Sequence, residues 1–175
     1  MNHFDVESSL KNMVILADTR EHPNAAYRKR IKQMGVPVES VALSYGDYSC
    51  RTVLPDGTEY TMANKVAVER KMSVDEVCAN FGKNRKRFIA EFERAKADGA
   101  RMYLLIEDAN WTDIYGGKYR SRYTPNSLDA SIFAWIPRYN TVPIFCKPDE
   151  TGKIIAEIMK RELKEKLEAM NDVGI

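Results

Sequence analysis

Short apolar runs along the chain predict β-strands. The run from Met13 to Ala17 is wholly apolar and partly β-branched, which is typical of a buried strand, and it ends at Asp18. A turn is favoured at Pro55-Asp56-Gly57, so the extended stretch that begins at Gly46 should form a hairpin with the strand after this turn. Further strands are predicted over residues 36–43, 65–71, 101–107 and 142–146.

Helical spacing of apolar residues predicts helices between these strands. Asn24 is a suitable N-cap, and Gly35 a suitable stop, for a helix that ends at Met34. Ser73 and Glu76 form a capping-box pattern just after a predicted strand. Further helices are predicted over residues 83–97, 126–139 and 150–170. Because strands and helices alternate without a strict βαβ repeat, we expect an α/β fold with a mixed central sheet flanked by helices.

The last predicted helix carries an apolar stripe. Such a stripe either packs on the core of its own domain or pairs with a second subunit. The stripe consists of Ile155, Ile158, Met159, Leu163, Leu167 and Met170.

Length and composition narrow the class of protein. A chain of 175 residues with 44% hydrophobic residues suits one globular domain and excludes a wholly disordered protein. Its three cysteines lack paired spacing, which favours buried thiols in a reducing compartment. No apolar run approaches the ~18 residues of a membrane span, and the N-terminus lacks the pattern of a secretion signal. We therefore expect a cytoplasmic protein, nucleoid-associated if it is bacterial or phage-encoded.

Lysine and arginine residues concentrate in three segments, although the net charge is only +2. Each segment either holds phosphate groups or is a solvated helix face. The first contains Arg28, Lys29, Arg30 and Lys32, the second Lys83, Arg85, Lys86 and Arg87, and the third Lys118, Arg120 and Arg122 between tyrosines.

Two acids and a lysine carry the strongest sign of chemistry. Side chains alternate along a strand, so Glu69 and Lys71 should share one face of their strand while Arg70 points to the other. Asp47 begins a neighbouring predicted strand, and two such carboxylates can converge on a hard cation such as Mg²⁺. This is the layout of the PD-(D/E)-x-K phosphodiesterase motif, with Gly46 in the proline position. By itself the pattern also fits a surface ion pair.

Further motifs occur in the same order as in a known family. The segments 16–21 (LADTRE), 46–48 (GDY) and 68–71 (VERK), with Asp75 following, resemble the nuclease domain of the XPF-type structure-specific DNA endonucleases. The resemblance extends over about residues 15–146. It implies a restriction-endonuclease-like fold for a nuclease domain at 1–150, with its core at 13–146. A C-terminal amphipathic helix at 151–175 would then pack on the domain or lie at a dimer interface.

The resemblance also implies roles for individual residues. Asp47 and Glu69 would bind Mg²⁺ or Mn²⁺ together with the backbone carbonyl of Arg70, and Lys71 would activate or place the attacking water. The site would be completed by Asp18, Arg20, Glu21, Arg70 and Asp75.

Physical arguments leave alternatives for several of these residues. Asp18 can bind a cation, and Arg20 can bind a substrate phosphate through its forked donors. Asp75 also suits the positive end of a helix dipole whatever the chemistry. Arg70 can instead brace its strand by pairing with a buried acid, and Glu21 can be an exposed turn carboxylate.

The function implied by the resemblance is metal-dependent endonucleolytic cleavage of branched, flap or fork DNA, in DNA repair or recombination. The second and third basic segments are then candidates for contacts to the DNA backbone. The family also contains degenerate members, so a non-catalytic DNA-binding or scaffolding module that supports a partner nuclease is the alternative. Related domains pair as dimers, and no glycine pairs at helix-hairpin-helix spacing follow Cys146. We therefore expect a homodimer or a separate DNA-binding subunit.

Overall fold

The computed structural model describes residues 3–172, which form one mixed sheet between two layers of helices. The strands are β1 (Val14–Asp18), β2 (Val38–Val41), β3 (Tyr48–Val53), β4 (Glu59–Thr61), β5 (Val66–Lys71), β6 (Arg101–Glu107) and β7 (Thr141–Cys146). The helices are α1 (His3–Lys11), α2 (Ala25–Met34), α3 (Val74–Phe81), α4 (Arg85–Ala97), α5 (Trp111–Tyr115), α6 (Pro125–Tyr139) and α7 (Thr151–Asp172). The predicted α/β class is confirmed.

The order of the strands is β2-β1-β3-β5-β6-β7, and β4 pairs with the second half of β3. β3 runs antiparallel to β1 and β5, whereas β1–β2, β5–β6 and β6–β7 are parallel pairs. The start of β3 therefore lies between the carboxyl ends of β1 and β5. Tyr48 faces Val68 in this register, which places the preceding Asp47 next to the segment that contains Glu69.

Alternate side chains of the central strands enter two separate cores. Val66 and Val68 pack beneath α1, α2 and α7, while Ala67 faces the opposite core under α3, α4 and α6. In that second core, Trp135 stacks on Phe88 with ring centroids 4.6 Å apart. Because both faces of β5 are covered, any polar side chain on this strand is buried and needs a partner.

The predicted helix ends agree with the structure. Asn24 Oδ1 accepts a hydrogen bond from the Tyr27 backbone N–H at 2.9 Å, and Gly35 has a φ of 67°, a left-handed conformation that favours glycine. The Ser73 side chain caps α3 as expected. Sequence patterns missed α1 and α5, since helices of nine and five residues are too short to show a clear period.

The α7 helix lies on the domain that contains the sheet. Four residues of its predicted stripe are fully buried in the first core, and Met170 at the end of the stripe is exposed. The buried four are Ile155, Met159, Leu163 and Leu167.

The three cysteines, Cys50, Cys78 and Cys146, are buried free thiols. Between residues 3 and 172, no helix combines the length and apolar character that a membrane span requires.

Candidate active site

The predicted site residues of three strands meet at one edge of the sheet. The Asp18 backbone N–H donates to the Asp47 carbonyl, and the Asp47 N–H donates to the Val68 carbonyl, each at 2.8 Å. These two bonds tie the end of β1 and the start of β3 to β5. Asp47 is thereby held beside Glu69 and Lys71, and these three line one cavity.

Asp47 and Glu69 form a closely spaced acid pair. Asp47 Oδ2 accepts a hydrogen bond from the Arg70 backbone N–H at 2.8 Å. Exclusion of water raises the pKa of Asp47 to about 7, against the lowering effect of Lys71. Burial also raises the pKa of Glu69 well above its usual range, and the charge of Asp47 raises it further. Each acid therefore resists ionisation while the other is charged.

Lys71 offsets only part of this negative charge. Its Nζ donates to Glu69 Oε1 at 2.5 Å and lies 3.8 Å from a Glu76 carboxylate oxygen. Burial lowers the pKa of Lys71, but the charges of Glu69, Asp47 and Glu76 and the hydrogen bond to Glu69 together raise it above its ordinary value. Lys71 is therefore a cation at neutral pH. Within residues 3–172, the other oxygen of the carboxylate, Glu69 Oε2, is buried without a hydrogen-bond partner.

The donor set at this point fits a hard divalent cation. Mg²⁺ is usually held by one or two carboxylates and keeps several waters. Asp47 and Glu69 supply the two carboxylates, and Glu69 Oε2 is a buried acceptor that a cation would satisfy. Among the described residues, no three aspartate, glutamate, histidine or cysteine side chains form a complete metal cluster. A cation here would therefore rely on backbone or water oxygens as well.

Asp18 holds Arg20 at the rim of the site. Asp18 Oδ1 accepts from the Arg20 backbone N–H at 2.8 Å and from Arg20 Nε at 2.5 Å, while Oδ2 accepts from the Leu43 N–H at 2.7 Å. Burial raises the pKa of Asp18, but these hydrogen bonds together lower it below its usual value. Both oxygens of Asp18 are thus engaged with the protein. Arg20 remains 56% exposed and donates to the Gly46 carbonyl at 3.3 Å.

Glu21 belongs to a buried network instead of an exposed turn. Its Oε2 accepts from Arg30 Nη2 and from Tyr48 Oη, each at 2.5 Å. The interpretation of Glu21 as a solvent-exposed carboxylate is therefore wrong, because a buried arginine of α2 reaches it. In the first basic segment, Arg30 is buried and so does not face a phosphate, and Lys29 pairs with Asp149 at 2.5 Å, while Arg28 and Lys32 are exposed.

Arg70 braces the opposite face of β5. Its Nε and Nη2 each donate to one oxygen of Glu107 at 2.7 Å, and Thr151 Oγ1 also donates to Glu107 at 2.6 Å. Burial raises the pKa of Glu107, but the hydrogen bonds from Arg70 and Thr151, together with the charges of Arg70 and Arg30, lower the pKa overall. The alternative in which Arg70 pairs with a buried acid is the one that the structure contains.

Asp75 positions a basic loop. It accepts hydrogen bonds from the backbone N–H groups of Arg120 at 2.9 Å and Ser121 at 2.7 Å. The loop at 116–124, which carries Lys118 and Arg122, is thereby anchored to the first turn of α3. The Arg120 side chain is 94% exposed, and its Nε lies 3.4 Å from Asp75 Oδ2.

The second basic segment lies at the beginning of α4, close to the acids. Lys83, Arg85, Lys86 and Arg87 are all exposed. Arg87 lines the same cavity as Asp47 and Glu69. The segment therefore presents positive charge at the rim of the site.

Two residues of this site, Asn80 and Glu91, were missed by the sequence interpretation. Glu91 Oε1 accepts from the Gly46 backbone N–H at 2.8 Å, and both side chains line the cavity with Glu69. A signal for Glu91 existed: it stands on the same face of the predicted helix at 83–97 as the apolar Phe88 and Phe92, which are buried. A charged residue in such a position is costly unless it has a function or a partner.

The comparisons with known proteins agree with this geometry. A sequence model of the ERCC4 domain matches residues 17–158. The structure is similar to XPF from Aeropyrum pernix, with a TM-score of 0.59, 19% identity, and coverage of 84% of this chain and 65% of that one. It is also similar to XPF from Aeropyrum pernix in complex with DNA, with a TM-score of 0.61, 19% identity, and coverage of 87% and 66%.

These similarities concern one domain. The chain spans less than two thirds of the length of either XPF chain. A search of curated proteins found no match. The sheet order, the flanking helices and the matched segment together show the restriction-endonuclease-like fold of an XPF-type nuclease domain. The chain belongs to the ERCC4-domain family.

Proposed function

We propose that this protein is a divalent-metal-dependent DNA endonuclease that hydrolyses phosphodiester bonds in branched, flap or fork DNA. The observation that carries the proposal is the acid pair Asp47 and Glu69 beside the cationic Lys71. Asp47, Glu69 and the backbone carbonyl of Arg70 would hold Mg²⁺ or Mn²⁺. When bound, the cation supplies Lewis acidity that neutralises charge on the phosphate and makes water a better nucleophile.

The remaining polar residues act on the substrate, the water or the strands. Lys71 Nζ orients the attacking water and favours the ionised form of Glu69 against the effect of burial, and Arg20 binds a non-bridging phosphate oxygen through its exposed guanidinium. Asp18, predicted as a metal ligand, is given the role of holding Arg20, because both its oxygens already accept hydrogen bonds. Glu21 fixes Tyr48 at the start of β3.

Two observations support DNA as the substrate: the positive charge of two basic segments and the similarity to a DNA-bound structure. One of the similar structures is of an XPF in complex with DNA. One basic segment, at the start of α4, borders the cavity that the acids line, and another lies in the loop at 116–124, where Asp75 anchors Arg120. They would contact phosphates on either side of the cleavage site. These contacts are made by Lys83, Arg85, Lys86, Arg87, Lys118, Arg120 and Arg122.

A second copy of the chain is the proposed partner. An apolar patch on α5, α6 and the edge strand β7 exposes large side chains, and Trp111 stacks on Phe133 within it at 5.0 Å between ring centroids. Contiguous exposed apolar patches of this kind mark interaction sites. Analytical ultracentrifugation should show a dimer that Phe133→Glu dissociates. A monomeric wild type would favour a separate DNA-binding subunit instead.

A cleavage assay tests the proposed activity. Purified protein is incubated with end-labelled duplex, single-stranded, flap and fork DNA in Mg²⁺, Mn²⁺ or EDTA. We expect cutting of branched DNA that depends on metal and is lost in Asp47→Ala and Lys71→Ala. Asp129→Asn is a matched control, because Asp129 also has a partly buried carboxylate but lies outside the cavity. Binding without cutting, unchanged by either substitution, would support the scaffolding alternative.

A further inference from the structure

A cavity of about 330 Å³ lies on the helix side of the acid pair, between β5 and helices α3 and α4. Among its lining residues, Asn80 comes from α3 and Glu91 from α4, so both approach Glu69 from the helix side. The cavity is therefore built by three elements, and the cation roles proposed above use only its strand side.

Two buried oxygen atoms line this cavity without a donor. Within the described part of the chain, Glu69 Oε2 and Asn80 Oδ1 have no hydrogen-bond partner. Glu69 is 4% exposed and Asn80 is 5% exposed, so bulk water does not satisfy them freely. A buried polar atom without a partner is destabilising, and two such atoms lining one cavity indicate an occupant that satisfies both.

The nearby cationic side chains do not supply the missing donors. Lys71 Nζ donates to the other oxygen of Glu69, Oε1, and Arg20 donates to Asp18 and lies 3.7 Å from Glu91 Oε1. Arg87 also lines the cavity, but it is exposed and donates to neither of the two oxygens. A DNA phosphate does not satisfy the two oxygens either, because an ionised phosphodiester only accepts hydrogen bonds. The water ligands of a hard cation do donate. An octahedral cation that already binds two carboxylates and one carbonyl keeps about three waters, which at roughly 30 Å³ each need about 90 Å³, less than this cavity provides.

We propose that Asn80 and Glu91 bind the water shell of the divalent cation held by Asp47 and Glu69, as an outer-sphere cation subsite. Asn80 Oδ1 accepts from one coordinated water, and the Glu91 carboxylate accepts from another. This inference rests on the proposed metal dependence and assigns two further residues to it.

Glu91 has a second task that shapes the choice of variants. Its Oε1 accepts from the Gly46 N–H, next to Asp47, so loss of the side chain would disturb the turn that carries the ligand. Glu91→Gln keeps this acceptor and the volume while it removes the charge. Asn80→Leu removes the amide at similar size, and Asn80→Asp keeps an acceptor oxygen.

Mn²⁺ binding to the purified chain tests the subsite without any cleavage readout. Free Mn²⁺ is measured by electron paramagnetic resonance during titration, and folding of each variant is checked by its thermal midpoint. Outer-sphere partners of metal sites are worth about 10–100-fold in affinity. We expect Asn80→Leu and Glu91→Gln to weaken Mn²⁺ binding by at least about tenfold, Asn80→Asp to bind at least as tightly as wild type, and Asp129→Asn to bind like wild type.

The outcomes separate this inference from the proposed function. Unchanged affinity in Asn80→Leu and Glu91→Gln, with binding lost in Glu69→Gln, would overturn the subsite and leave the metal-dependent nuclease intact. Equal weakening in Asn80→Leu and Asn80→Asp would also overturn it, because the acceptor oxygen would then be irrelevant. No Mn²⁺ binding by the wild type would contradict both. Weakened binding in the variants of a chain that never cuts DNA would support the subsite and contradict the nuclease.

Discussion

On each face of β5 a basic side chain pairs with a buried glutamate, but the two glutamates differ in their hydrogen bonds and in the direction of their pKa shifts. On one face, Arg70 and Glu107 form a two-pronged ion pair, and Thr151 donates to the same carboxylate. On the other, Lys71 satisfies one oxygen of Glu69 and leaves the second without a partner. The pKa of Glu107 is lowered and that of Glu69 is raised.

This difference separates a structural ion pair from a functional one. A buried acid whose oxygens all have donors stabilises its charged form and has no capacity for a ligand. A buried acid that lies next to another acid and lacks a donor gains most from a cation. Two pairs of a basic residue and a buried glutamate, one on each face of β5, therefore have different tasks, and the difference is visible in their hydrogen bonds.

The largest expected effect on the cleavage rate comes from replacing a buried glutamate by glutamine, once on each face of β5. Glu69→Gln should lower the single-turnover cleavage rate by at least about 100-fold, because a metal contributes several kcal/mol and each 1.36 kcal/mol is tenfold in rate. Its thermal midpoint in EDTA should not fall. Glu107→Gln, the matched change on the other face, should lower the midpoint and retain cleavage at low temperature. Equal rates in the two variants would remove the distinction between the faces.

Substitution of Arg70 tests only the face of β5 that carries the Arg70–Glu107 ion pair. Arg70→Met leaves Glu107 as an unpaired buried charge, which is expected to cost about 3–5 kcal/mol in the free energy of unfolding. Urea denaturation measures the loss. Addition of Glu107→Gln in the same chain should recover part of it, since the unpaired charge is then removed. A variant as stable as wild type would show that the pair does not brace β5.

The pH dependence of stability should differ between the faces in sign. Asp47 has a folded-state pKa raised from 3.8 to about 7, so it favours the folded state at low pH, and this contribution is lost as pH rises from about 4 through 7. Glu107 has a lowered pKa, so its contribution is present above its ordinary pKa and is lost as pH falls. In EDTA, the thermal midpoint of Asp47→Asn should decline less between pH 5 and 8 than that of wild type. Parallel curves would contradict the raised pKa of Asp47.

The smallest effect is expected at the basic loop. Arg120→Gln and Lys118→Gln should each weaken DNA binding modestly and reduce the slope of log affinity against log salt by about 0.9 for duplex DNA, if each side chain contacts one phosphate. Fluorescence anisotropy at several salt concentrations measures both quantities. Lys153→Gln, an exposed lysine of α7, is the control and should leave the slope unchanged. A slope that stays constant in all three variants would show that the loop does not touch DNA.

Local patterns predicted most of the fold but only part of the site. Strand runs and caps such as Asn24 and Ser73 are set by neighbours within four residues, so the sequence displays them. The alternation along β5 correctly separated Arg70 from Lys71. By contrast, Asp75 contacts a loop 45 residues away, which no local period encodes.

The two site residues that the sequence did not reveal were missed for the same reason, since their roles depend on contacts between distant parts of the chain. Asn80 and Glu91 reach the acid pair from two helices, and their role depends on how α3 and α4 pack over β5. Asp18 and Glu21 were identified as site residues only through resemblance, and their hydrogen bonds to Arg20 and Arg30 depend on tertiary structure. Single side chains that meet across long separations leave no repeating signal in a sequence.

The most direct measurement is single-turnover cleavage of a labelled fork by wild type, Lys71→Met and Arg70→Met, in Mg²⁺ and in EDTA, at a temperature where all three are folded. We predict Mg²⁺-dependent cutting by wild type, a rate lowered by about 10²–10⁴-fold in Lys71→Met, and nearly normal cutting by Arg70→Met. Cleavage at the wild-type rate by Lys71→Met, or no Mg²⁺-dependent cleavage by the wild type, would contradict the assignment of this face of β5 as the nuclease site.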